Sequence, residues 1–397
     1  MLLHIFTILL PCFLLSTLLL VWRFRNMLKP FWKKAVAFLP GVLLPLWGMS
    51  LVAHRTFSPE EYKAVGFATI VILGSAAMVM IMALGCLVGR MLRRIAYAEK
   101  TVIVLSVACC VLLAVVCCYG YNKGIYHLRV TKEELTFDDL PASFDGYRIV
   151  FFSDFHLGTY ATDATFPHKV TEALMKEQGD IILFGGDLIN YDPRELQPFI
   201  KEMERLHAPD GVYAVMGNHD YQVHRKWSSP EACRRSVQEL EGLIEKSGWK
   251  LLLNASSVVV RDTDSIAVVG VENDGNPPFP SLGDLGKALA GVPDSLHHQS
   301  FFKILVSHDP THWKRRVLPD TDIQLTLSGH SHACQLQIGH YSPAAWVYKE
   351  WGGLYREEKH CLFVSKGIGE ALLNFRFGAW PEINVITLRC KKNENTI

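Results

Sequence analysis

The sequence predicts an α/β domain preceded by a four-helix transmembrane region. Three observations carry this. Between residues 147 and 332, five short apolar runs are each followed at once by a cluster of Asp, His or Asn. Stretches with helical apolar spacing alternate with those runs. The first 120 residues contain four long runs without a single Asp, Glu, Lys or Arg.

The five runs are 147–152, 181–184, 212–216, 302–306 and 323–327. Short apolar runs bounded by Gly, Asp and Asn predict buried strands rather than helices. Behind them stand Asp154-Phe155-His156, Gly186-Asp187, Gly217-Asn218-His219-Asp220, Ser307-His308-Asp309 and Gly329-His330-Ser331-His332. Ligands of α/β sheets bind beyond the carboxyl ends of the strands. The five strands therefore deliver carboxylate, imidazole and amide groups to one sheet edge. Further strands are expected over 125–130, 251–260 and 266–271. Helices are expected over 167–178, with Val170, Ala173 and Leu174 on one face, over 193–206 and over 230–247. The loop 272–280 is rich in Gly, Pro and Asn, and 366–369 is a turn.

Asp154, His156, Asp187, Asn218, His308, His330 and His332 offer only oxygen and nitrogen. That donor set suits Mn, Fe or Zn and needs no thiolate. Seven candidates exceed what one tetrahedral ion takes, and they fit two divalent metal ions sharing Asp187 as a bridging carboxylate. Two metals about 3.5–4 Å apart turn a bridging water into hydroxide and hold a phosphoryl oxygen in line for attack. His219 is left over as a candidate proton donor to the leaving oxygen, oriented by Asp220 or another carboxylate. Any one of these motifs alone is an ordinary turn; the ordered set is what points to a metal site. His312, close to His308, is a candidate for the surroundings of that site.

The five motifs in this order resemble the calcineurin-like metallophosphoesterase superfamily, over about residues 125–389. The resemblance implies two packed sheets flanked by helices, with the metals at the strand ends. It implies one metal on Asp154, His156, Asp187 and His332, a second on Asp187, Asn218, His308 and His330, and His219 in the catalytic position. Residues 140–146, Val364-Ser365-Lys366-Gly367-Ile368-Gly369, Arg376-Phe377 and Pro381-Glu382-Ile383 resemble a membrane-associated bacterial branch of the family. Many of its members follow the last histidine motif with Gly-Gly, where this chain has Ala333-Cys334. That departure predicts a different shape for the mouth beside His332.

The uncharged runs are 2–22, 35–53, 64–89 and 102–120. About 20 apolar residues span a bilayer, so 1–120 is assigned to the membrane and 121–397 to the phosphoesterase domain. The first run lacks the basic start of a signal peptide, and three more follow it. Loop 23–34 carries Arg23, Arg25, Lys29, Lys33 and Lys34 with no acid, and loop 90–101 carries Arg90, Arg93, Arg94 and Lys100 against Glu99. In 54–63 the charges balance. Positive loops stay in the cytoplasm, which predicts a catalytic domain outside it, on a bacterial inner or plasma membrane.

The net charge is +1 and no basic tract stands out in the domain, so no nucleic-acid partner is predicted. Six of the ten cysteines lie in the apolar runs as small hydrophobes. Cys233, Cys334, Cys361 and Cys390 match no zinc spacing, and outside the cytoplasm one disulfide among them is open. The stretch 273–280 and the region after His332 are candidates to frame the mouth. Arg376 is either a phosphate-binding residue or an ion-pair partner of Glu382.

Three functions follow. The first is a membrane-anchored phosphohydrolase acting on a phosphodiester or lipid-linked phosphate near the bilayer. The second, implied by some anchored relatives, is a UDP-2,3-diacylglucosamine pyrophosphatase of lipid A synthesis; it needs a cytoplasmic active site, against the loop charges. The third is a non-catalytic, metal-stabilised sensory or binding module, which has no use for His219.

Overall fold

The computed structural model describes residues 2–23, 43, 59–292, 301–371 and 373–391. One unit comprises Met1–Lys123 with Leu372–Phe375, and the other Gly124–Ala371 with Arg376–Ile397. In the first, helices α1 (Leu2–Arg23), α2 (Pro59–Met91) and α3 (Ala98–Asn122) follow the uncharged runs. Among the described residues two helices, not four, are long and apolar enough to cross a membrane: Lys63–Met91 and Ala98–Tyr126. The expected run 2–22 lies in α1, whose described apolar stretch Pro11–Arg23 is shorter. The expected run 35–53 falls outside the described residues, apart from Leu43, which is helical.

Among its described residues the second unit holds twelve strands: β1 (Arg129–Phe137), β2 (Arg148–Phe152), β3 (Ile181–Phe184), β4 (Val212–Ala214), β5 (Lys250–Leu251), β6 (Ala255–Arg261), β7 (Asp264–Gly270), β8 (Phe302–Val306), β9 (Leu325–Ser328), β10 (Gly353–Glu357), β11 (His360–Val364) and β12 (Glu382–Cys390). They form two mixed six-stranded sheets, in the orders β1-β12-β2-β3-β4-β5 and β10-β11-β9-β8-β7-β6. Strands β2, β3 and β4 run parallel, as do β7, β8 and β9, so within each sheet the ends that carry the motifs share an edge.

Burial on both faces explains why the runs are continuously apolar instead of alternating. Ile149, Phe151, Ile181 and Leu183 pack with Ile304, Val306, Leu325 and Leu327 in the core between the sheets. Their neighbours Val150, Phe152, Ile182 and Phe184 turn the other way. They pack against Val170 and Leu174 of α4 (Thr165–Lys176) and Leu240 and Ile244 of α6 (Pro230–Lys246). On the far sheet Ala267, Val269 and Leu305 cover Trp313, Val317 and Leu285. Ser229 caps α6 by accepting the Ala232 N–H at 3.2 Å, and Pro230 supplies the preset first turn.

Three expected elements differ. The helix over 193–206 is broken into two 3-10 turns, Pro193–Glu195 and Gln197–Phe199, before the short α5 (Ile200–Glu204). Pro198 lacks an N–H and its ring crowds the preceding turn. The strand over 251–260 is split at Asn254, whose φ of 53° turns the chain from the first sheet to the second. The strand over 125–130 begins only at Arg129, after a 3-10 turn at Gly124–Tyr126.

Candidate metal centre

Each candidate ligand lies just past a strand: Asp154 and His156 after β2, Asp187 after β3, Asn218 after β4, His308 after β8, His330 and His332 after β9. The backbone there is left-handed at Asp154 (φ 55°), His156 (50°), Asp187 (59°), His330 (67°) and His332 (48°). Side chains adopt that conformation at a cost of about 1–3 kcal/mol, and such residues concentrate where function demands it. Hydrogen bonds between the strand ends hold the strained turns: Asp154 N–H to Gly186 O at 2.8 Å, His156 N–H to Asp187 O at 3.1 Å, and Gly369 N–H to Asp154 O at 2.7 Å. Gly186 (φ 96°) admits no side chain, since a Cβ would stand 2.6 Å from Gly217 N and 2.9 Å from His308 Nδ1.

Two groups converge: Asp154, His156 and His332, and Asp187, His308 and His330. His156 Nε2 lies 3.1 Å from His332 Nε2 and 3.8 Å from Asp187 Oδ2. Asp154 Oδ1 is 3.2 Å from His332 Nε2. His308 Nε2 is 3.2 Å from Asp187 Oδ2, without hydrogen-bond geometry. Asn218 Oδ1 is buried with no hydrogen-bond partner. A buried amide oxygen without a donor is costly, and imidazole nitrogens and carboxylate oxygens packed this closely are the donors of a divalent cation. The residues fit the two metal ions that the motifs imply.

The electrostatics favour a cation at Asp187, His156 and His332, and favour a proton at His308. Burial opposes charge on Asp187, but His308 and His219 hold its carboxyl well below the usual range. Burial lowers His156 to about 3, aided by His219, and takes His332 well below its ordinary value. A charged carboxylate beside neutral imidazoles is the protonation state that cation binding requires. Burial raises Asp154 to about 6, while the Asp187 carboxylate overcomes burial and lifts His308 to about 10.

Around this centre stand residues with no motif to mark them. Asn190 Oδ1 accepts from His156 Nδ1 at 2.9 Å, which leaves Nε2 for a ligand, and the Asn190 carbonyl accepts from His219 Nδ1 at 2.9 Å. His219 belongs to neither group, and its ring stands 4.8 Å from that of His156. Asp220 does not orient it. That carboxylate accepts the N–H groups of Asp187, Leu188, Ile189 and Gly217 at 2.7–3.2 Å and holds the turn at Asp187. The Asn218 amide Nδ2 meets His224 Nε2 at 3.3 Å, so Oδ1 is the atom presented to a cation. His330 Nε2 meets the Tyr348 hydroxyl at 2.9 Å, and the ring of Phe279 packs 4.6 Å from it.

His312 reaches the site indirectly. Its Nδ1 is 2.9 Å from Ser307 Oγ and its Nε2 3.2 Å from Asp274 Oδ2, which ties loop 272–280 to the residue before His308. Arg376 is a correction to both expectations. It is fully buried, and it donates to the carbonyls of Lys366, Gly369 and Ala379 and to His332 Nδ1. Its donors are spent behind His332 instead of facing phosphate, and Glu382 pairs with Lys366 at 2.9 Å. At the other departure, Ala333 (φ 50°) and Cys334 (φ 47°) are both left-handed, the conformation for which glycine is suited. All ten cysteines are free, so no disulfide forms.

Residues 147–334 match the family model described as calcineurin-like phosphoesterase. Over 285 residues the chain is 30% identical to the uncharacterized metallophosphoesterase YkuE of Bacillus subtilis, an alignment covering 68% of this chain and 90% of that one. A transmembrane protein with metallophosphoesterase domain from Danio rerio is 27% identical over 318 residues, 77% of this chain and 69% of that one. The UDP-2,3-diacylglucosamine pyrophosphatase LpxG of Chlamydia trachomatis is 26% identical over 327 residues, 66% of this chain and 89% of that one. With 90% of YkuE aligned to it and the family's motifs brought to one place by two sheets, this chain belongs to the calcineurin-like phosphoesterases, as a metal-dependent hydrolase of phosphoesters.

Proposed function

We propose that the protein is a membrane-anchored, dinuclear-metal phosphohydrolase whose substrate is a phosphodiester or a lipid-linked phosphate. The observation that carries this is the convergence of His156 Nε2 on His332 Nε2 at 3.1 Å and on Asp187 Oδ2 at 3.8 Å, with Asp154 Oδ1 3.2 Å from His332 Nε2 and Asn218 Oδ1 buried without a partner. Asp154, His156, Asp187 and His332 would hold one ion, and Asp187, Asn218, His308 and His330 the other. Two such ions supply Lewis acidity, polarising phosphoryl oxygen and making water a nucleophile at neutral pH. The chain's own part is to hold the donors in place and to move a proton. His219 Nδ1 donates to the Asn190 carbonyl, so Nε2 is the atom that delivers a proton to the leaving oxygen.

The substrate class draws support from the two membrane-length helices and from the name of LpxG, whose substrate is acylated. A pyrophosphatase acting on UDP-2,3-diacylglucosamine needs a cytoplasmic domain. The charges of loops 23–34 and 90–101 favour the opposite side, and we place the domain outside the cytoplasm. A reporter fused after Ile397 decides this, since reporter activity in the cytoplasm reverses the topology and restores the pyrophosphatase.

The chemical test uses the full-length protein in detergent with Mn, assayed on bis- and mono-p-nitrophenyl phosphate beside Asp187→Asn. Hydrolysis that disappears in the variant supports the dinuclear site, and the ratio of the two rates sorts diester from monoester. A folded wild-type protein that takes up no metal sinks the proposal.

A further inference from the structure

Between the last histidine motif and β10 the chain makes a short rigid projection. Ile338 and Tyr341 close a tight turn with reciprocal backbone hydrogen bonds of 2.9 and 3.1 Å. Ser342 starts the 3-10 turn Pro343–Trp346, accepting the Ala344 N–H at 3.1 Å and donating to the Ala333 carbonyl at 2.6 Å. At the base, the Gln337 N–H donates to the Phe377 carbonyl at 2.8 Å, and Tyr348 meets His330. The backbone is thus fixed at both ends. Yet four large apolar side chains within ten residues face outward: Ile338 is 67% exposed, Tyr341 48%, Trp346 80% and Val347 54%. The Tyr341 and Trp346 rings lie 6.2 Å apart.

Scattered exposed apolar residues are ordinary, whereas a clustered patch on a rigid support marks a contact surface. Its chemistry selects the partner. From Cys334 to Lys349 there is no Asp or Glu, while His340 and Lys349 lie among the apolar residues. Tryptophan and tyrosine with aliphatic neighbours, Lys349 and no carboxylate suit the headgroup level of a bilayer. The chain also supplies that bilayer. The candidate span Ala98–Tyr126 runs straight into the α/β unit that begins at Gly124, with no intervening linker. A domain tethered so closely meets lipid at high effective concentration.

We propose that residues 338–347 form a second membrane contact, a lipid-surface anchor on the catalytic domain in which Ile338, Tyr341, Trp346 and Val347 enter the headgroup region. The projection is continuous with the motif that carries His330 and His332, so the active site is held facing phosphoesters at the bilayer surface. This rests on the membrane-anchored reading above.

The test uses the full chain in lipid nanodiscs and the tryptophan emission that Trp346→Phe removes. In nanodiscs of brominated phosphatidylcholine and phosphatidylglycerol, that difference is lost to lipid quenching, while aqueous acrylamide leaves it largely intact. Quenching by acrylamide and not by bromolipid overturns the proposal, because the segment then faces water. Shielding from both quenchers overturns it too, in favour of burial against another copy of the chain. Alkaline carbonate extraction and bis-p-nitrophenyl phosphate hydrolysis, run on the wild-type protein, report separately on the anchor and on the hydrolase. Release by carbonate removes the anchor and this contact together; lost hydrolysis with bromolipid quenching retained removes the hydrolase alone.

Discussion

Arg376 Nη2 stands 3.1 Å from His332 Nδ1, and the same guanidinium donates to the carbonyls of Lys366, Gly369 and Ala379 at 2.5–3.1 Å. A fully buried cation thereby joins a candidate ligand, His332, to the turn that follows β11. Burial lowers its pKa from the ordinary arginine value, and nearby carboxylates led by Glu370 counter that. Arg376→Ala leaves three carbonyls short of donors, each costing about 1–3 kcal/mol. Thermal unfolding in detergent should show a loss of about 3 kcal/mol or more, and Arg376→Lys should recover only part, because an ammonium lacks the planar fork. A variant that unfolds like the wild type and only raises KM would return Arg376 to the substrate.

Asn190 and His219 separate holding from proton transfer. Asn190→Ala removes the partner of His156 Nδ1 but keeps the carbonyl that accepts from His219. Losing an outer partner of a ligand histidine weakens metal binding by about 10–100-fold, to be read in a metal titration. His219→Ala should instead lower kcat by about 100–10,000-fold with metal content unchanged. Metal loss in His219→Ala would make its role structural.

His224 decides which end of the Asn218 amide faces a cation. His224→Ala frees the amide to flip, and metal titration should show one of two binding events weakened by about 10-fold or more. His224→Gln keeps an acceptor for Nδ2 and should restore most of that affinity. Equal affinities in all three proteins would remove His224 from the site.

Ala333 and Cys334 carry backbone strain that glycine relieves. A left-handed residue with a Cβ costs about 1–2 kcal/mol, against about 0.5–1 kcal/mol for the extra entropy of unfolded glycine. Ala333→Gly and Cys334→Gly should therefore each stabilise the domain by about 0.5–1 kcal/mol in thermal unfolding. Destabilisation in both would show that their side chains matter more than their φ angles.

Glu195 supplies a pH limb. Burial raises its carboxyl from 4.5 to about 7, although it accepts the Asn190 and Tyr191 N–H groups at 2.6 and 3.0 Å. The folded state then binds the proton more tightly than the unfolded chain. This contribution is fully present below pH 4.5 and is lost as pH rises through about 7. The stability difference between wild type and Glu195→Gln should fall over that window. A difference that is flat with pH would mean the carboxyl titrates normally.

The convergence of Asp154, His156 and His332, and of Asp187, His308 and His330, was legible because strand ends carry them. An apolar run buried on both faces is visible without a partner, and whatever follows it lands at the sheet edge. The positioning residues were not legible in the same way. Asn190 and His224 stand in loops, where no apolar run marks the position. Arg376 has the charge of a phosphate ligand, and only the packing of 366–379 reveals that its donors are already used. The amphipathic spacing of 193–206 concealed the break that Pro198 imposes. Ala333-Cys334 adopts two left-handed positions that neither residue type announces.

The place of β12 has a consequence for how the protein is made. That strand lies between β1, which it joins in parallel, and β2, which it joins antiparallel. Asn384 and Thr131, 253 residues apart in sequence, share a hydrogen bond of 2.8 Å. The first sheet thus cannot close until residues 382–390 have left the ribosome, long after α1, α2 and α3 have been made. Distant pairing of this kind is slow. Until it is complete, β1 and β2 present open edges, the kind of surface that mispairs with other strands.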